Sequence, residues 1–307
     1  MIEFSGIPLR HPIVNASGTF DAIAARRAFG DALLARFPFA AFVSKTVTVE
    51  PRQGNPPPRL WELPGGMINS SGLPNKGREG YLAQDLPQLV ELPVPLIVNV
   101  MGFTREEVAT LVAAFGERDE VAAFELNVSC PNVETGMIMG ADPRETAQLV
   151  ERVRPLTRKP LIVKLTPNCT APADVAAAAV EHGADAVSLV NTLRGMAFDP
   201  RRRGVRWLGG GSGGVSGPAI RAIALAQVAE VRARVDAPIV GMGGVQNGRH
   251  AADLMQAGAD LVAVGTESFR DPLAGARVAA ELAEIPANSG IPAASGRAVR
   301  EPIAHNA

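Results

Sequence analysis

The hexapeptide Asn127-Val128-Ser129-Cys130-Pro131-Asn132 gathers more reactive chemistry than any other stretch of this chain. Cys130 lies just past a short apolar run, among side-chain amides and directly before a helix-breaking proline. A cysteine inside a core is ordinarily a small hydrophobe. A free thiol, with an ordinary pKa of ~8.5, can become a thiolate and act as a general base, and the polar neighbours favour that reading here. A nucleophilic role would need an activating base. The four histidines, His11, His182, His250 and His305, all lie away from the ends of apolar runs. Cys169, after Pro167-Asn168, reads as structural.

Lysine occurs only at 45, 76, 159 and 164, against 26 arginines, so generic positive charge is carried by arginine. Lys45 and Lys164 both sit at the ends of apolar runs and are candidates for specific roles. Asparagine recurs in similar places, at 69, 75, 99, 127, 132, 168 and 191. Each amide offers both a donor and an acceptor. Several together suit a planar ligand with alternating C=O and N–H edges, such as a pyrimidine or an isoalloxazine ring. Asn75 and Asn168 read more simply as turn residues. Gly243-Gly244 and Gly265-Thr266 end the last two apolar runs, where backbone N–H groups at a glycine turn can cradle a phosphate.

The elements that must position these groups are eight runs rich in Val, Ile and Leu: 12–16, 41–47, 95–100, 122–128, 160–165, 186–190, 238–241 and 260–264. Continuous apolar runs of this length fit strands buried on both faces. Helical segments alternate with them, at 143–153, 172–181, 219–235 and 248–257. Another opens at Thr104, with Thr104 and Glu107 spaced as a capping box. The alternation predicts a (β/α)8 TIM barrel, whose strand C-termini and following loops carry the active site. Two long segments, 49–75 and 194–216, interrupt it and are expected as loops over that face. Gly209 to Gly214 matches G-x-G-x-x-G formally but does not join a strand to a helix in a βαβ unit, and reads as a mobile loop.

With 307 residues, a 47% hydrophobic composition and a net charge of −1, one barrel domain over 1–307 is expected. Near-zero charge argues against nucleic acid as a partner. Two cysteines make no disulfide scaffold, and no Cys/His cluster has zinc spacing, so no metal site is expected. The start Met1-Ile2-Glu3-Phe4 is unlike a signal peptide, and the apolar stretch 171–190 is broken by charges, so a cytoplasmic protein is expected.

Taken together, these residues resemble the dihydroorotate dehydrogenase family, class 1, catalytic subunit. The matching stretches are Asn15 to Gly18, Ser44 to Thr48, Gly54 to Arg59, Asn69 to Leu73, Glu125 to Asn132, Val163 to Leu165, Asn191-Thr192, Gly214 to Pro218 and Gly241 to Gly244. Cysteine at 130 is similar to class 1, since class 2 enzymes use serine and carry an N-terminal helical extension. Gly54 to Arg59, Asn191 to Ala197 and Gly214 to Pro218 are most similar to class 1B, whereas Leu73-Pro74-Asn75 also resembles class 1A.

The resemblance implies a barrel that oxidises dihydroorotate to orotate with FMN. It implies FMN contacts from Ser17, Lys45, Thr46, Asn99, Asn127, Lys164, Val190, Gly217, Gly243, Gly244, Gly265 and Thr266. It implies substrate contacts from Lys45, Asn69, Ser70, Ser71, Gly72, Leu73, Asn127, Asn132, Asn191 and Thr192. Cys130 would take the C5 proton while the C6 hydride passes to the flavin, and Lys164 would offset the charge the flavin gains. Lys45 could serve either the flavin or the substrate carboxylate. Class 1B implies a homodimer joined to a FAD/[2Fe–2S] subunit as a heterotetramer, with NAD+ as final acceptor. The alternatives are a class 1A homodimer using fumarate, another FMN barrel acting on pyrimidines such as a dihydropyrimidine dehydrogenase, and a phosphate-binding barrel without chemistry.

Overall fold

A computed structural model describes residues 1–128 and 139–286. Cys130 and Asn132 lie outside the described residues, as does Ser129. All eight expected runs are strands: β1 (Ile13–Asn15), β2 (Phe42–Val43), β3 (Leu96–Val100), β4 (Val121–Asn127), β5 (Leu161–Lys164), β6 (Ala186–Leu189), β7 (Ile239–Met242) and β8 (Leu261–Val264). They form one parallel sheet in the order β2-β3-β4-β5-β6-β7-β8-β1, which bends into a (β/α)8 barrel.

The runs look uniformly apolar because both faces are buried, yet the faces differ. Ile97, Ala123, Ile162, Ala186, Val240 and Ala263 belong to a cluster filling the barrel interior. Their neighbours Leu96, Val98, Phe124, Leu161, Val163, Val187 and Val262 pack outward in the larger cluster beneath the helices. The interior cluster also takes in Phe4, Ile7 and Leu9 from an antiparallel hairpin, Ile2–Phe4 with Ile7–Leu9. Its two-residue turn, Ser5-Gly6, has both φ angles positive, as a tight hairpin with right-twisted strands requires.

Expected helices appear at Arg105–Gly116, Pro143–Val153, Pro172–Glu181, Arg221–Arg234 and Gly248–Gln256. The Thr104 hydroxyl caps the first by accepting from the Glu107 N–H at 3.2 Å. The reciprocal half of the capping box is displaced by one residue: the Glu107 carboxylate accepts from the Phe103 N–H at 2.6 Å. Among the described residues, no helix is long and apolar enough to cross a membrane.

β2 is too short to form a ladder with β1, and a side chain closes the gap. Buried Asn15 donates to the Val43 carbonyl and accepts from the Val43 N–H, each at 2.8 Å. Ala40 N–H adds one backbone bond to the Ile13 carbonyl at 2.9 Å. Asn15→Ala would leave two buried backbone groups without partners, at about 1–3 kcal/mol each. The expected result is a loss of about 2–4 kcal/mol in a denaturant melt.

The two long segments are not independent loops. Leu60–Leu63, Gly66–Asn69, Gly213–Ser216 and Leu193–Gly195 build one four-stranded antiparallel sheet. Expectation and structure part over the glycine run 209–214, which is packed backbone rather than a mobile loop. A Cβ at Gly209 would stand 1.9 Å from the Pro56 carbonyl oxygen, and one at Gly213 2.3 Å from that of Asn69. Glycine is needed there for close approach.

His11 sits near the first strand, its Nδ1 accepting from the Ile13 N–H at 3.2 Å. Burial, and then the Arg10 guanidinium, pull its pKa from 6.5 down to about 4. Between those values the unfolded chain binds a proton that the folded chain refuses, so stability falls as pH drops through the window. His11→Gln should lose less thermal stability on acidification from about pH 7 to about pH 4.5; parallel melting curves for the two proteins would disprove this.

Candidate functional site

On β3, β4, β5 and β6 the inward column turns from apolar to polar toward the C-terminal end. Asn99 on β3 is in register with Glu125 on β4, Asn127 on β4 with Lys164 on β5, and Lys164 with Ser188 on β6. The Glu125 carboxylate joins this layer. Its Oε1 accepts from Asn99 Nδ2 at 2.5 Å and lies 3.5 Å from Lys164 Nζ, while Oε2 accepts from the Ser188 hydroxyl at 2.9 Å. The side chains of Lys164 and Glu125 are only 6% and 5% exposed. Asn99 Oδ1 is buried without a hydrogen-bond partner among the described residues. Asn127 Nδ2 reaches Thr46 Oγ1 at 3.4 Å.

Around this centre, Ser17 donates to the Ser44 carbonyl at 2.8 Å, and Lys45 follows on the same side. Lys45 Nζ lies close to Gly18, 3.8 Å from where a Cβ would stand. Burial holds the Lys45 pKa below the ordinary lysine range; Asp21 opposes the shift and Arg59 adds to it. Behind Lys45 opens a cavity of about 570 Å³, lined among others by Asp21, Thr46, Arg52, Asn75 and Tyr81.

A glycine rim forms the opposite side. Gly217, Gly243 and Gly244 all have positive φ. A Cβ on Gly244 would stand 3.0 Å from the Gly217 carbonyl oxygen, and one on Gly217 2.8 Å from Gly66 Cα. Gly217 precedes the turn and helix that begin at Pro218, and the Thr266 hydroxyl donates to Ser216 at 2.8 Å. Gly265-Thr266 follows β8, and buried Val190 follows β6 beside Gly243. Bare backbone beside a helix start is a natural phosphate cradle.

The 69–73 segment arrives over the mouth through the antiparallel sheet. Asn69 donates to the Gly214 carbonyl at 3.3 Å, and Thr192 packs against Gly214 so closely that a Cβ there would meet its hydroxyl at 1.9 Å. Gly214 thus joins Asn69 to the Asn191-Thr192 strand end. Asn191 Oδ1 accepts from the Thr192 N–H at 2.8 Å. Ser70 is fully buried, its hydroxyl accepting from Asn55 at 3.0 Å, and the Ser71 carbonyl accepts from the Asn55 N–H. Gly72 turns with φ +72, and Leu73, at φ +57, packs on Met101, as does Phe103. Asn75 and Asn168, expected as turn residues, also tie distant segments together: Asn75 bonds Leu73 and Thr48, and Asn168 bonds Thr166, Thr192 and Arg194.

The set fits a flavin: a buried acceptor without a partner among the described residues, a buried cation beside it, and a glycine rim suited to phosphate. Sequence reasoning assigned no role to Glu125 or Ser188. A glutamate two residues before Asn127 in an otherwise apolar strand was the available signal, since residues i and i+2 of a strand share a face.

Comparison with known proteins agrees. The dihydroorotate dehydrogenase family model matches residues 1–285. A protein of Geobacter sp. (strain M21), the catalytic subunit of dihydroorotate dehydrogenase B (NAD(+)), is 44% identical over 296 residues, covering 96% of this chain and 95% of the relative. The corresponding protein of Desulforudis audaxviator is 43% identical over 294 residues, covering 94% and 93%. In fold, the chain is similar to the crystal structure of DHODH from Eimeria tenella in complex with ferulenol, with a TM-score of 0.74 at 21% identity, covering 92% of this chain and 82% of that one. A barrel with these strand-end groups, matched along nearly its whole length, belongs to the dihydroorotate dehydrogenase family of flavin-dependent oxidoreductases.

Proposed function

We propose that this chain is the catalytic subunit of a dihydroorotate dehydrogenase, oxidising (S)-dihydroorotate to orotate in pyrimidine biosynthesis with FMN as its flavin. The observation that carries the reading is the barrel mouth itself, where Lys164 lies buried beside Asn99 Oδ1, an acceptor without a partner among the described residues. FMN, when bound, supplies the two-electron acceptor that protein side chains lack. Ser17, Lys45, Thr46, Asn99, Asn127 and Lys164 would hold its ring, and the rim of Gly217, Gly243, Gly244, Gly265 and Thr266 its phosphate. Lys164 provides a preorganised cation where negative charge accumulates, in a site too buried for water to screen it. Asn69, Asn127, Asn191 and Thr192 would orient the pyrimidine through its C=O and N–H edges, with Asn132 completing the set. Cys130 removes the C5 proton. Lys45 neutralises the substrate carboxylate or the flavin.

For the electrons, the reading is a FAD/[2Fe–2S] partner subunit passing them to NAD+, in a heterotetramer built on a homodimer of this chain. Support comes from the relatives, which are named as catalytic subunits of NAD(+)-linked enzymes. A cluster on this chain would need about four ligands, and the chain has two cysteines. The test is direct. The purified protein should be yellow and should bleach with dihydroorotate; bleaching with dihydrouracil instead would reassign the substrate. Alone it should reduce neither fumarate nor NAD+ at speed, and NAD+ reduction should return with an iron–sulfur flavoprotein. Brisk fumarate reduction by the chain alone would overturn the partner.

A further inference from the structure

We propose that Glu125 is a positioning residue of this site, whose buried carboxylate sets both the place and the effective charge of the Lys164 ammonium. The proposal rests on the flavin reading above. Three strands converge on this one carboxylate: Asn99 from β3 and Lys164 from β5 on Oε1, Ser188 from β6 on Oε2. A carboxylate is acceptor-only, so every one of its contacts is used to order a donor. Asn99 has one amide hydrogen tied to Glu125, which aims its Oδ1 elsewhere, and that oxygen has no partner among the described residues. The same anchor therefore orients the two groups best suited to meet the ligand, the Lys164 cation and the Asn99 acceptor.

The charge argument is independent of the orientation argument. An ammonium buried this deeply would be costly without a counter-ion. With Glu125 3.5 Å away, the pair is close to neutral before electrons arrive. Negative charge gained by the ligand then has to share the cation with Glu125. The carboxylate thus limits how strongly Lys164 favours the reduced ligand. The strand Val121–Asn127 is otherwise apolar below Asn127, and an apolar residue at 125 would satisfy packing alone.

The experiment uses the FMN-loaded chain, with the flavin midpoint potential as the readout, for wild type, Glu125→Gln and Glu125→Asp. Gln keeps the size and the acceptor but removes the charge. It should raise the potential, equivalent to about a tenfold gain in the preference for reduced over oxidised FMN. Asp restores the charge and should bring the potential back toward wild type. A purely structural glutamate would lower FMN affinity or melting temperature without raising the potential, and that result would overturn the proposal. Should Glu125→Gln fail to bind FMN, the melting temperatures of the flavin-free proteins decide. Lys164→Met alone leaves a buried carboxylate without its cation, so the Lys164→Met, Glu125→Gln double variant should melt higher than Lys164→Met. Strictly additive losses would sink the pairing. If wild type takes up no flavin, the flavin reading fails instead, and the two failures are distinct.

Discussion

Cys130→Ala is expected to cut turnover about 10²–10⁴-fold while FMN stays bound, the usual scale for losing a general base. The reason lies in the substrate. The bond to be oxidised loses a hydride from C6 and a proton from C5, and the proton needs an acceptor. Cys130 stands three residues past Asn127, which faces the barrel mouth from the end of β4. Among the described residues, Asn99, Asn127 and Lys164 at that mouth are donors or amides rather than bases, and Glu125 is occupied by three partners. Stopped-flow reduction of the bound flavin by dihydroorotate checks this without involving any electron acceptor. Wild-type reduction rates in the alanine variant would remove Cys130 from the chemistry. Cys130→Ser should recover activity only at raised pH, because a hydroxyl is a far weaker acid than a thiol.

Lys164→Ala should have the second largest effect, and on two observables. It removes the cation that would offset charge on the flavin, so the midpoint potential should fall and FMN binding should weaken. It also strands Glu125 in a site where that side chain is 5% exposed. Removing one partner of a buried ion pair typically costs about 3–5 kcal/mol, since the remaining charge is left uncompensated. A melt of the flavin-free variant reads the second effect and a redox titration the first. An unchanged potential would place Lys164 outside the flavin's reach, whatever the melt shows.

How much of this was legible in the sequence depends on the range of the interactions involved. The eight strands were, because apolar runs bounded by Pro, Gly and charge are local signals, and strand ends such as Asn127 and Lys164 are fixed once the runs are. The expected site residues were named through motifs that stand mostly contiguous in the chain. The hairpin Ile2–Leu9 was overlooked although its Ser5-Gly6 turn is local; two three-residue strands give too little periodicity to notice.

Only the tertiary structure decided the rest. Asn15 reads as one more polar strand end, but it closes the barrel, because the partner it bonds, Val43, is 28 residues away. The glycine run 209–214 reads as freedom, but its neighbours Pro56 and Asn69 arrive from the other long segment and leave no space for side chains. Ser70 belongs to a motif, yet its hydroxyl faces Asn55. Glu125 reads as a charge inside an apolar strand, and becomes an anchor only when Asn99, Lys164 and Ser188 are delivered by three other strands. The sequence by itself determined which groups this protein has and the strands that carry them. Which of those groups meet was decided by closure of the sheet, since the partners are dozens of residues apart and no local pattern encodes their contact.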